Sequence, residues 1–139
     1  MNYARLVLAA LGGTVAYFAF GFLLFALFPA LVNESRKYPA VYRTPEAMKE
    51  VAPVGLAATF VAILVVAVMY AMMYGGGSGL SAGVRVGVLI GLFAVCGFVF
   101  HNYVNLNIGL KLVVLQAVAY FMEWAIVGVV IGLIYRRAA

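Results

Sequence analysis

Charged residues divide this 139-residue chain into four long apolar runs, 6–33, 51–84, 86–110 and 112–135, and only the last is interrupted, by Glu123. A bilayer core about 30 Å thick is crossed by about 20 apolar residues of helix, so each run is long enough to span it once. None alternates apolar and polar residues with the period of a barrel strand. Lipid offers a free backbone no hydrogen-bond partner, so each crossing segment must satisfy its own N–H and C=O groups as a helix. The composition agrees: 68% hydrophobic, 9% charged, mean hydropathy +1.14, where a soluble domain is about half apolar and a quarter charged. A water-soluble domain is excluded, and four spans leave no length here for a second, extramembrane domain.

The expected fold is therefore an all-α membrane protein, a single four-helix transmembrane domain over residues 1–139 with spans at about 6–30, 53–74, 82–102 and 112–135. Short connections stack such helices as an antiparallel bundle, and an even count puts both termini on one side. The opening Met1-Asn2-Tyr3-Ala4-Arg5 imitates a signal peptide, but the apolar run continues to Val32, past the length of a signal core, so it reads as a retained first span. The first loop, 33–52, is the one sizeable polar segment. In it Thr44-Pro45-Glu46 combines an N-cap, a proline at the first helical position and an acid in the first turn. Glu46, Lys49 and Glu50 share one face, which predicts a short interfacial helix at about 45–52, with Pro53 starting span two. Gly75-Gly76-Gly77-Ser78-Gly79 is a flexible second loop, and Asn102 to Lys111 forms a compact third.

The net charge is +5, yet the nine basic residues stand singly or in pairs at the edges of apolar runs. That pattern anchors helix ends among lipid headgroups. A nucleic-acid partner would call for basic residues clustered on a solvated face. The expected location is a cell membrane, crossed several times and most in keeping with a bacterial inner membrane, with the lipid bilayer as the constant partner. Orientation stays open, because the side with the termini and second loop carries Arg5, Arg85, Arg136 and Arg137 against Arg36, Lys37, Arg43, Lys49 and Lys111 on the other. Cys96, alone within an apolar run, has no intrachain partner and packs as a small apolar residue.

Span three carries Gly83, Gly87 and Gly91, one glycine every four residues, with Ala94 close to the same stripe. Gly128 and Gly132 repeat the spacing in span four, and Gly13, Tyr17 and Gly21 share a face of span one. Such stripes let two helix backbones approach closely, either inside one bundle or between chains. Glu123 lies near the middle of the last span, where a charge costs several kcal/mol, so it must face the protein interior, a water-filled cavity or a partner. Gln116 and Tyr120 precede it at spacings of seven and three, completing a polar stripe. Such an acid can bind a proton or cation, or it can fix helix register against Tyr17, Thr14 or Thr59.

His101 is the weak ligand candidate, set among Asn102, Asn105 and Asn107, residues that commonly cap carbonyls and define turns. Without nearby cysteine, carboxylate or second histidine it makes no zinc site, and no metal or cofactor is expected. Met69, Met72 and Met73 with Tyr70 and Tyr74 read as flexible packing and interfacial tyrosines. Gly77-Ser78-Gly79-Leu80-Ser81-Ala82 spells a dinucleotide fingerprint, but no βαβ unit surrounds it, and Asn33-Glu34-Ser35 is a sequon by letters alone. One histidine, one cysteine and four acids assemble no nucleophile–base–orienter set, so no enzyme activity is expected.

The layout resembles small four-helix bacterial integral membrane proteins grouped as domains of unknown function. The likeness lies in a first span ending Leu27-Phe28-Pro29, a glycine-rich third span, Asn102-Tyr103, and Leu110-Lys111-Leu112 leading into a last span that ends Gly132-Leu133-Ile134-Tyr135. The resemblance implies the fold and carries no activity. Small multidrug-resistance transporters share the size and span count, but they place their essential acid in the first span, whereas here it is Glu123 in the fourth. The function expected from these features is a non-enzymatic structural or accessory subunit, forming a homo-oligomer or joining a larger membrane complex through its glycine stripes. The alternative is a small proton-coupled transporter or channel built on Glu123.

Overall fold

The structure, a computed structural model, describes residues 1–135, so Arg136 and Arg137 lie outside the described residues. It is helical throughout, with no strand among the described residues. Four helices are long and apolar enough to cross a membrane: α1 (Tyr3–Leu27), α3 (Pro45–Met73), a continuous helical stretch from Gly79 to Asn105, and α6 (Leu110–Ile134). A short α2 (Pro29–Ser35) follows α1. The stretch from Gly79 comprises α4 (Gly79–Ala94), a π-helical turn over Val95–Phe100 and α5 (His101–Asn105).

Local chemistry sets the boundaries. The Asn2 side chain accepts from the Arg5 N–H at 3.1 Å and opens α1. Phe28 leaves helical geometry because Pro29 follows it, and Pro29 then occupies the first turn of α2. Thr44 caps α3 by accepting from the Ala47 N–H at 3.3 Å. The turn from α3 into α4 takes Gly76 and Gly77 at φ +106° and +87°, a region where side chains other than glycine are strained.

Two boundaries differ from expectation. Residues 45–52 are not a separate interfacial helix but the first turns of α3, which continues through Pro53. A proline removes one hydrogen bond and crowds one carbonyl a turn earlier. Near the end of a helix about 43 Å long at 1.5 Å per residue, that is tolerated, and Glu46, Lys49 and Glu50 fall in its first turns. The third span extends past 102, because the π-helical turn adds a residue without breaking the helix.

α6 is the hub. On one flank it meets α4: a Cβ built on Gly87 would lie 2.8 Å from the Trp124 carbonyl oxygen and 2.9 Å from that of Ala125. Gly83 faces Gly128, Gly132 faces Gly79, and Gly91 faces Phe121, so the two helices run in opposite directions at backbone contact. On the other flank it meets α1, with Gly12 against Ile134, Gly13 against Val127 and Ile131, and Gly21 against Glu123, again in opposite sequence order. α3 packs mainly on α1 and is the least embedded of the four. Its residues 48–58 are exposed throughout.

The interior divides into two apolar clusters. One, at the end where α1 begins and α6 ends (the terminal end), contains Leu6, Ala10, Ile63, Tyr70, Val127 and Ile131 among others. There the Asn2 N–H donates to the Tyr135 hydroxyl at 3.2 Å, and the Tyr70 hydroxyl donates to the Gly79 carbonyl at 3.1 Å. The other, where α2 and residues 36–44 lie (the loop end), contains Leu24, Leu31, Val99, Ile108, Leu112 and Val113. The outward faces are equally apolar, with Val15, Phe22, Val54, Met72 and Val104 at least 69% exposed, as lipid contact requires. Because lipid gives no hydrophobic drive for helices to associate, the close α4–α6 backbone approach supplies the packing that holds the chain together.

Gly87→Leu is therefore expected to lower the stability of the single chain by about 1–3 kcal/mol or more, the cost of overpacking against backbone that cannot yield. Gly55→Leu, at a site with nothing within 4 Å, should leave it within about 0.5 kcal/mol of wild type. Thermal unfolding of the two variants in one detergent separates these outcomes.

Candidate functional site

Glu123 lies 13 residues into α6 and 11 from its last residue, about 20 Å and about 17 Å from the two ends at 1.5 Å per residue. It is 7% exposed and stands between the two apolar clusters, after Ala119 of one and before Val127 of the other. Its space is made by α1. A Cβ on Gly21 would fall 2.8 Å from the Glu123 Oε1, so the missing side chain at Gly21 is the room the carboxyl occupies. One turn away on the same face of α1, the Tyr17 hydroxyl interacts with the carboxyl, and the Tyr17 ring packs edge-on against Trp124 at 5.7 Å. Of the three hydroxyls considered as partners from the sequence, Tyr17 meets the acid, whereas Thr14 donates back to the Ala10 carbonyl at 2.8 Å.

The polar stripe of α6 continues toward the loop end. Tyr120, one turn before Glu123, interacts with it electrostatically and also with Tyr42. Gln116, half-buried, donates from Nε2 to the Tyr42 hydroxyl at 2.9 Å. Tyr42 comes from the first loop, 74 residues away in sequence, and the spacing of α6 residues gives no sign of it.

A second polar centre holds the loop end together. Glu34, on α2 and 7% exposed, accepts from the Lys37 Nζ at 3.0 Å on both carboxylate oxygens and from the Lys111 Nζ at 3.2 Å. Beside it the Gly109 N–H donates to the Tyr38 hydroxyl at 2.9 Å, so the segment after α2 is fastened to the start of α6. The Glu34–Lys37 spacing of three was readable in the sequence, but the reach to Lys111 was not. Hydrogen bonding to Lys37 holds the Glu34 carboxyl below its ordinary value of 4.5, against the opposing effect of burial and with further help from Lys111.

The remaining candidates do not join these centres. The glycines Gly83, Gly87, Gly91, Gly128 and Gly132 lie between α4 and α6 of the same chain. His101 is exposed, and its carbonyl accepts from the Asn105 side chain at 3.0 Å. Cys96 is exposed in the π-helical turn, and Met69, Met72 and Met73 face outward. Among the described residues no three His, Cys, Asp or Glu side chains are grouped as a metal would need. Compared with protein-family models, curated proteins and solved structures, the chain matches none.

Because the folded Glu34 carboxyl titrates below its ordinary value, its pairing stabilises the fold fully above about pH 4.5 and is lost as pH falls through the lower folded value. Glu34→Gln should thus melt earlier than wild type at neutral pH, and the two curves should converge in strong acid. Melting temperature against pH for both proteins tests this; a gap that persists at low pH would contradict it.

Proposed function

We propose that this chain is a four-span protein of a cell membrane, an antiparallel bundle with both termini on one side, in which Glu123 binds a proton or small cation and couples it to transport. The observation that carries the reading is a contrast between two buried acids. Glu34 is neutralised by two lysines, whereas among the described residues no lysine, arginine or histidine pairs with Glu123. Its recorded partners are neutral tyrosine hydroxyls. A carboxylate buried at mid-bilayer without a cationic side chain must be neutralised by something exchangeable, a proton or a bound cation. A register-fixing role alone would be met by a neutral amide.

Glu123→Gln keeps the shape and most hydrogen bonds and abolishes titration. In proteoliposomes under an imposed pH gradient, this variant should fold as wild type does yet lose pH-driven movement across a panel of small inorganic and organic cations. Glu123→Leu should instead be destabilised by about 1–3 kcal/mol, because the Tyr17 hydroxyl is left unpaired. Full pH-driven movement in the Gln variant ends the coupling proposal.

The second reading, a non-enzymatic accessory subunit assembling with itself or a larger complex, has support from α3. With the glycine stripes of α4 and α6 facing each other, the uncovered stretch of α3 around Pro53, Val54, Ala57 and Val61 is the face left for a partner. Mild-detergent purification from native membranes should then yield a stoichiometric complex disrupted by Ala57→Trp but not by Val15→Trp on α1. A lone monomer active in liposomes rejects it.

A further inference from the structure

The surroundings of Glu123 are unequal along the membrane normal. From Glu123 toward the terminal end, α6 offers only the Trp124 indole and then Ala125 to Ile134, all apolar or glycine. The facing side chains there are Leu6, Ala9, Ala10, Ile63, Val66 and Ala67, buried, and the α4 backbone lies directly on that of α6. Hydroxyls of that half are bonded within it, Thr14 to Ala10, Tyr70 to Gly79, Tyr74 to Gly77 and Tyr135 to Asn2, and its charged side chain on α4, Arg85, is exposed. Toward the loop end the same helix presents Tyr120, 39% exposed, and Gln116 at successive turns, and Gln116 is bonded to the half-buried Tyr42.

We infer that Glu123 exchanges its proton or cation with the loop end alone, along Tyr120 and Gln116, with Tyr42 positioning the Gln116 amide. This rests on the proposal that Glu123 binds such an ion. The ionisable groups facing Glu123 are Tyr17 from α1 and Tyr120 on α6, and among the described residues none of α3 or α4 interacts with it. Tyr42 and Gln116 are positioning residues that act through Tyr120. The chain would therefore present an ion site open in one direction, and crossing to the other side would require the α1–α6 contact at Gly13 and Gly21 to loosen.

The test uses the full chain in liposomes. All three lysines, Lys37, Lys49 and Lys111, lie at the loop end or in the loop-side turns of α3, so labelling of these lysines by a membrane-impermeant amine reagent, read separately from the Met1 amine, reports which way the protein is inserted. A hydrophobic carbodiimide, which modifies protonated carboxyls, then labels Glu123, and its yield is read by mass spectrometry with the two compartments buffered separately. Labelling should rise when the loop-end compartment is acidified and stay constant when the other is. Gln116→Leu should slow the response several-fold, through a lost positioning contact rather than a lost acid–base group. Tyr42→Phe, which keeps the ring and its packing, should slow it as well, and Gln116→Asn should restore most of it. A response to the terminal-end compartment, or an unchanged rate in folded Gln116→Leu, overturns one-sided access and leaves ion binding standing. Labelling indifferent to pH on both sides overturns both.

Discussion

The architecture depends on backbone touching backbone between α4 and α6. In water, burying leucines would hold four helices together, but in lipid the outside is as apolar as the inside and that drive is absent. What remains is the attraction gained by dense packing, which rises steeply as helices approach. Glycine at 83, 87, 128 and 132 allows an approach that any side chain would block, since a Cβ at these sites would meet carbonyl oxygens or Cα atoms of the facing helix. On the other flank of α6, Gly12, Gly13 and Gly21 of α1 are notches that receive side chains, those of Ile134, Val127, Ile131 and Glu123 among them. α6 is thereby fixed from two sides, and α3, which lacks such a seam along its first half, is the loosest element.

Much of this was legible in the sequence, for physical reasons that also mark where legibility stops. The spans follow from uninterrupted apolar length, because lipid leaves the backbone no other option. The faces of α4 and α6 follow from four-residue glycine spacing. Spacing selects a face but not what lies opposite, so the choice between a second chain and the same chain had to come from the structure. Pro53 reads as a helix start, yet α3 passes through it, because a proline one or two turns inside a long helix disturbs a single hydrogen bond. The π-helical turn at Val95–Phe100 has no sequence signature beyond Gly97. Glu123, Gln116 and Tyr120 were found on one stripe because polar residues in an apolar run stand out. Tyr42 and the Lys111 arm of the Glu34 pair were hidden, since contacts over 70 or more residues leave no periodicity to read.

The acids divide the molecule as clearly as the glycines do. Glu34, Glu46 and Glu50 lie at the loop end with all three lysines, and the described terminal end holds no acid. At the loop end a buried carboxylate is matched by cations that reach it from solvated positions, with the Lys37 and Lys111 side chains 60% and 69% exposed. Such lysines keep their heads hydrated while bonding inward. Glu123 has no such pair among the described residues; Arg85 of α4, two residues before the Gly87 that meets Trp124, is exposed and forms no ion pair with it.

The position of Glu123 along α6 follows from these two patterns together. Positions 127 and 131 are fully buried beside Gly13 in the apolar cluster around Ile63, where a carboxyl would find no polar partner. At 112 or 113 it would sit within reach of Lys111 and the loop, where a lysine would neutralise it permanently, as at Glu34. At Glu123 the α1 flank leaves room for a side chain, as Gly21 shows, and among the described residues no cation pairs with it. An exchangeable charge on this scaffold thus belongs at the junction between its tight half and its polar half.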